Sequence, residues 1–509
     1  MIRRGLERLA WTTAFALAYA QSPLYTSNQN QYFLHGLARA GYGFLRDDWL
    51  ANTADPTPIF SWMVGALAPW PWGFYLVYAA LMGVYLFSLL SIGGKVVDLS
   101  SPSRRRLVLA GLILMHSAAL RFALARLLVP EAEFLLEGGV AGQRLLGAVL
   151  QPSAFGVLLV LSVALFLDRR EVAAAAALAA AAAVHPTYLL SAGILLATYM
   201  AILSLRQEER RRGLVTGLVG GALLAAVAVP VYLTFRPSGP DLYAITSDIL
   251  VRLRIPHHAI PAKWIDWTVA VQALIVAASA WVGRRTRLAP ILLVGSLAVV
   301  ALTAVQIASD SDPLALLFPW RLSVVLVPIG SSTLVCAVVA WTASRWEGRA
   351  GRMRFLMTAS LAAVVLVAVA GVYRFSTERE HQLQDPAAPT MAFVAAHLAE
   401  GDVYFIDPKL QDFRLRTGAP VVVDAKAIPY IDQEVMDWWE RLKTARNFYR
   451  DRPEWIDCEG VDLAQRAYGA THVVLGPEQI GLDCPQLEVL FADDEYAVYR
   501  IRPAEVPPR

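Results

Sequence analysis

The chain has 509 residues, 56% of them hydrophobic and only 17% charged, whereas ordinary soluble domains carry about 25% charged residues. With a mean hydropathy of +0.47 this excludes an ordinary soluble enzyme. The net charge of +3 hides a split: the first 384 residues hold 32 basic and 20 acidic groups, and the segment from Asp385 onward holds 13 and 22. A basic membrane part joined to an acidic soluble part fits that split, and no nucleic-acid partner is implied.

In chain order, uncharged runs predict spans near 9–24, 72–92, 107–127, 149–167, 172–184, 187–205, 213–235, 264–283, 288–308, 321–343 and 355–374. A helix rises about 1.5 Å per residue and the hydrocarbon is about 30 Å thick, so about 20 apolar residues cross it. The run 172–184 is short and stops at His185-Pro186, which predicts a half-span or one arm of a broken hairpin. Residues 2–20 imitate a signal peptide, but aromatic and polar sequence follows at once, as after a first span. Basic clusters at Arg3/Arg4/Arg8, Lys95 with Arg104–Arg106, Arg169/Arg170, Arg206 with Arg210–Arg212, Arg284/Arg285/Arg287 and Arg345/Arg349/Arg352/Arg354 fall on alternate loops. They predict a multi-pass plasma-membrane protein with its N-terminus in the cytoplasm and, after eleven spans, its C-terminal domain outside. The boundary is expected at 375/376, giving a membrane module over 1–375 and a soluble domain over 376–509.

The outer loops carry the chemical variety. The first, residues 21–71, brings Asp47, Asp48 and Asp55 within nine positions. A carboxylate there can take a proton from a hydroxyl or hold a divalent cation such as Mg or Mn; Asp55-Pro56-Thr57-Pro58 also reads simply as a turn. Asn28, Gln29, Gln31 and His35 are polar groups suited to a sugar, and Asn28, Tyr32 and His35 share one face of a helix. The second loop holds Glu131, Glu133, Glu137 and Gln143-Arg144 around Gly138-Gly139, and Glu133 is taken as the second metal ligand beside Asp48. Further on, His116, Arg121 and Arg126 are ionisable groups on one span, which is costly in a bilayer and often functional. His257, His258 and Lys263 in the third loop, and Arg321 after Phe318-Pro319-Trp320, can bind a lipid phosphate, a guanidinium through paired hydrogen bonds.

The tail reads as a small α/β domain, with helices over 389–400, 432–448 and 460–468 and strands over 403–406, 421–423, 472–475 and 488–501. Cys336 lies in an apolar run as a small core residue, whereas Cys458 and Cys484 fall on the outer side, where a disulfide is permitted and expected.

The pattern as a whole, together with RDDWLANTADPTPIF, GGVAGQRLLGAVLQPSAFG and HPTYLL, resembles the GT-C superfamily of polytopic membrane glycosyltransferases, in an uncharacterised bacterial branch. The resemblance covers the whole architecture through short motifs. It implies a mainly α fold, a polytopic transmembrane helix bundle of about eleven spans with a small C-terminal α/β exoplasmic domain. It also implies transfer of a sugar from a polyprenyl-phosphate-linked donor to an exoplasmic glycan, lipid or protein acceptor. Carried onto this sequence, Asp48 is the first candidate for the base, with Asp55 and Asp47 next, and Arg321, Lys263 and His258 are candidates for the donor phosphate. Trp438-Trp439 is followed by Glu440 instead of Asp, which argues against en bloc transfer to asparagine. A transporter or flippase would call for related halves with broken helices, and no repeat is present. A non-catalytic scaffold whose tail binds a partner is the remaining alternative.

Overall fold

The computed structural model describes residues 2–449, 458–476, 479, 482 and 484–502. Its contacts divide the chain into two compact units.

The first unit comprises Met1–Gln21, Tyr75–Leu233 and Ser247–Ser376 and is all helical. Every one of the eleven apolar runs falls on a helix. Among the described residues, six helices are long and apolar enough to cross a bilayer: Trp72–Val96, Pro186–Ser204, Gln207–Thr234, Leu288–Ser309, Asp312–Trp346 and Ala350–Leu383. The pair Pro102–Met115 and Ala118–Leu127, bent by 50°, adds a seventh if taken as one span. The others are the shorter Pro152–Leu167, Glu171–Val184 and Trp267–Val282, and Ile2–Tyr19, whose first half is charged.

The bend within the expected span 107–127 has a local cause. Ser117 leaves the helical region and its hydroxyl accepts from the Leu120 amide at 3.2 Å, capping the second helix. His116 fills the break. Its Nδ1 lies 2.8 Å from the Leu112 carbonyl, which only accepts, so Nδ1 carries the proton and Nε2 takes the Tyr85 hydroxyl at 3.1 Å. The Ala-rich run forms Glu171–Val184 and stops at His185-Pro186 as expected, because the proline ring disfavours helix in the residue before it.

The second unit comprises Ser22–Phe74, Thr234–Thr246 and Thr377–Arg509, so the first loop belongs with the tail. Among the described residues its sheet has four strands, β1 (Tyr404–Phe405), β2 (His472–Leu475), β3 (Leu487–Ala492) and β4 (Ala497–Ile501), in the order β1-β2-β4-β3. The β1/β2 pair is parallel and the others antiparallel. The strand-like run 488–501 forms a hairpin, because Asp493 turns the chain by accepting the Glu495 and Tyr496 amides. The run 421–423 forms only an isolated bridge from Val421 to Tyr404. Met391, Val394, Ile406, Phe413, Val474 and Val498 build the core. The helix Asp432–Phe448 packs through Trp438, and Cys458 is joined to Cys484.

The first loop meets the tail at a glycine contact. Gly43 and Gly418 both hold positive φ, and a Cβ on Gly43 would lie 2.4 Å from the Gly418 carbonyl oxygen. The Phe44 amide donates to that oxygen at 2.9 Å, so the close approach is used as a hydrogen bond.

Candidate active site

Within the helical unit, four segments far apart in sequence bring a cationic cluster together. The turn through Ala141 and Gly142, both at positive φ, presents Gln143 and Arg144. The break after Glu171–Val184 presents His185 and Thr187. Phe318, held in the left-handed region ahead of Pro319, sets the turn that delivers Arg321 to the N-terminal end of the helix Ser323–Trp346. A left-handed phenylalanine costs about 1–2 kcal/mol and persists only where its surroundings enforce it.

The Arg321 guanidinium donates to Gln143 Oε1 at 3.2 Å, to His185 Nε2 at 3.0 Å and to the Thr187 hydroxyl, and stacks over Phe318 at 4.7 Å. Three neutral acceptors orient it while its charge is kept. Arg144 is placed differently. It stacks over Phe134 at 4.0 Å, and among the described residues it has no carboxylate within ion-pair distance. His258 donates from Nδ1 to the Ala141 carbonyl at 2.6 Å. Burial, with His257, Arg321 and Arg144 nearby, pushes its imidazole down to about 4. The histidine is therefore neutral at pH 7, in a field that already holds two guanidiniums and a helix N-terminus. Such a site favours an anion.

The loop carrying Arg144 is anchored by a buried carboxylate. Glu137 Oε1 accepts from the Tyr19 hydroxyl at 3.1 Å and from Arg121 at 3.2 Å. Arg121 also donates to the Tyr19 carbonyl at 2.5 Å and lies 4.1 Å over the Tyr19 ring. Burial pushes the Glu137 carboxyl up to about 7 against the pull of Arg121. At the other end of the loop Ser323 Oγ accepts the Val140 amide at 3.0 Å.

The second unit holds the first-loop carboxylates, and the three are not equivalent. Asp48 is fully buried: Oδ1 accepts the Leu50 amide at 2.9 Å, and Oδ2 accepts Arg414 Nε at 2.8 Å and the Val421 amide at 3.0 Å. Arg414 continues to Asp424, which in turn accepts the Lys426 and Ala427 amides. Asp48, the first choice of base, is thus closed onto a partner 366 residues away and is fully buried. Asp55 is nearly buried, with Oδ1 on the Thr57 amide and the Ser61 hydroxyl and Oδ2 2.9 Å from half-exposed Arg39. Asp47 is 42% exposed and has Arg46 at 3.7 Å.

The expected sugar face on the first loop does not form as one helix. Gln29–Tyr32 and Leu34–Arg39 are separate helices, with Asn28 at the cap of the first. Gln29 is buried and accepts the Tyr25 amide at 2.8 Å. His35 lies 3.2 Å from the Thr53 carbonyl, and burial lowers its pKa below the usual value. His257 is exposed, with its ring tilted against that of His258 at 4.1 Å, and Lys263 is exposed on its own short turn. The residues do not fit a divalent cation. Asp48 spends its oxygens as above, Glu133 lies in a short helix, and among the described residues no three His, Cys, Asp or Glu side chains gather into a metal site. The signal missed in the sequence was Arg144, which stood in plain view beside Gln143 but among carboxylates.

A family model described as a domain of unknown function, DUF6798, matches residues 387–445. No curated protein matches the sequence. Among solved structures, the crystal structure of ArnT from Cupriavidus metallidurans bound to undecaprenyl phosphate is similar over 97% of each chain, at 14% identity and a TM-score of 0.51. The chain therefore shares the fold of that structure, with many apolar helices and a small C-terminal sheet domain.

Proposed function

We propose that the chain is a GT-C-type transferase that moves a sugar from a polyprenyl-phosphate-linked donor to an acceptor hydroxyl, and that Arg144 and Arg321 hold the donor phosphate. The observation that carries this reading is Arg144, a stacked guanidinium without a carboxylate partner among the described residues, in the same electrostatic field as Arg321 and His258. The likeness to a structure containing undecaprenyl phosphate supports the class of ligand.

In the reaction, the acceptor oxygen forms a bond to the anomeric carbon, the bond from that carbon to the phosphate oxygen breaks, and polyprenyl phosphate leaves with the electron pair. Negative charge grows on the departing phosphate, where two guanidiniums lower its energy most. The acceptor proton passes to a first-loop carboxylate. Asp47, the accessible one, is the first candidate, and Asp55 the second.

The test is binding of undecaprenyl phosphate to the purified full-length protein. Arg144→Gln is expected to weaken it about tenfold or more, the equivalent of one charge-assisted hydrogen bond, with Arg321→Gln at least as severe. Unchanged affinity in both variants removes the phosphate assignment. Separate Asp47→Asn and Asp55→Asn variants that bind the lipid normally but lose transfer would identify the base; full transfer by both would take Asp47 and Asp55 out of the chemistry.

A further inference from the structure

The helices Ile2–Tyr19 and Ala350–Leu383 meet at one tight point. A Cβ on Gly371 would fall 1.8 Å from the Leu17 carbonyl oxygen, so backbone touches backbone there. Elsewhere the long helix stands clear: of its 34 residues only Val364 and Gly371 are buried. From that contact the two helices part, and with Pro102–Met115 they enclose a groove of 1320 Å³ lined by residues 3–17, 106–110 and 357–372. Its walls are apolar and open to the outside, with Leu6 at 61%, Leu9 at 62%, Leu361 at 58% and Val365 at 56% exposure.

The charged groups of the groove lie at one end only. There Arg106 pairs with Glu7 at 3.0 Å, and Arg3 and Arg105 act on the same carboxylate. Three arginines around one glutamate leave that end with a net charge of about +2. At about 1.5 Å per residue, the stretch from residue 3 to residue 17 is roughly 21 Å long, the depth of one leaflet with its headgroup layer. An apolar slot one leaflet deep, with cations only at its mouth, has the shape and charge of a single lipid.

We infer that this groove is a binding site for an anionic glycerophospholipid, its acyl chain lying between Ile2–Tyr19 and Ala350–Leu383 and its phosphate at Arg3 and Arg106. The occupant is set by charge. A zwitterionic lipid would fill the apolar wall equally well but gains nothing from the unbalanced arginines. Arginine near a membrane surface favours anionic headgroups, each contributing about fivefold in affinity. The site is independent of the donor-phosphate reading, because it shares no residue with the Arg144/Arg321 cluster.

Trp11 lines the groove and reports on it. The full-length protein is reconstituted in phosphatidylcholine vesicles containing a minor fraction of brominated phosphatidylglycerol, or the same fraction of brominated phosphatidylcholine. The Trp11 signal is the difference between the natural protein and Trp11→Phe. Quenching by the anionic lipid is expected to be at least about fivefold more effective per molecule, and Arg3→Gln/Arg106→Gln is expected to abolish the preference while both lipids still quench. Equal quenching by both lipids in the natural protein would mean ordinary boundary lipid and overturn the proposal. So would a preference that survives the double substitution, or loss of the phosphatidylglycerol signal on adding undecaprenyl phosphate, which would give the groove to the isoprenoid chain. Lipids retained in native mass spectra of the natural protein supply a second reading that does not depend on the variant folding. Phosphatidylglycerol held in preference to phosphatidylcholine supports the site, and no preference rejects it.

Discussion

At the scale of single residues, buried charge decides which carboxylates serve structure. Asp48, Arg414 and Asp424 form a fully buried chain of ion pairs. Removing Asp48 leaves Arg414 with one buried carboxylate instead of two and strips the Leu50 and Val421 amides of their acceptor, at a cost of about 3–5 kcal/mol. Asp48→Ala is therefore expected to lower thermal stability by that order, and its loss of activity should track the loss of folded protein. A variant that unfolds normally yet is inactive would return Asp48 to the chemistry. Glu137 makes a prediction about pH. Its folded pKa of about 7 stands above the ordinary carboxyl value of 4.5, so the folded state holds the proton more tightly than the unfolded one. The associated stability is complete below pH 4.5 and is lost as pH rises to about 7. Melting temperature should fall across that window, and Glu137→Gln, which cannot ionise, should remove this part of the slope. Identical profiles for the two proteins would count against the buried titration.

At the scale of elements, local chemistry explains where the simple reading of hydrophobic runs held and where it did not. The eleven apolar runs were legible because a membrane helix is a one-dimensional signal: its length and lack of charge are set by the bilayer, with no need for a distant partner. The bend at His116-Ser117 was less visible, since a serine inside an apolar run is also common in straight helices; here it caps the second helix. Ser117→Ala should cost about 1 kcal/mol, measured as a lowered unfolding midpoint. In the tail, Asp432–Phe448 and His472–Leu475 fall where periodicity put them, whereas 421–423 has strand composition but finds only one bridging partner. Strand composition reports a side chain's fit to a half-buried surface, and the ladder itself depends on what lies alongside.

At the scale of the whole molecule, the first loop and the tail fold as one unit although more than 300 residues lie between them. The Gly43–Gly418 approach, the Asp48–Arg414 pair, the Gln31 amide on the Tyr430 hydroxyl at 2.6 Å and the Ala54 amide on Glu434 at 3.1 Å join them. Ending the chain at Ser376 removes all of these partners. Trypsin should then cleave at Arg39 and Arg46 faster than in the intact protein, where the tail holds the loop's backbone; equal cleavage of the two would show that the loop folds alone.

The membrane class, the basic and acidic halves and the helical runs were legible from the sequence alone, because each follows from local composition. Only the tertiary structure decided which of three neighbouring aspartates is sealed. It likewise set Arg144 and Arg321 in one field, and made Glu137 an anchor. Those outcomes depend on side chains from distant segments sharing a low-dielectric space, where one guanidinium or one missing partner changes what a carboxylate can do.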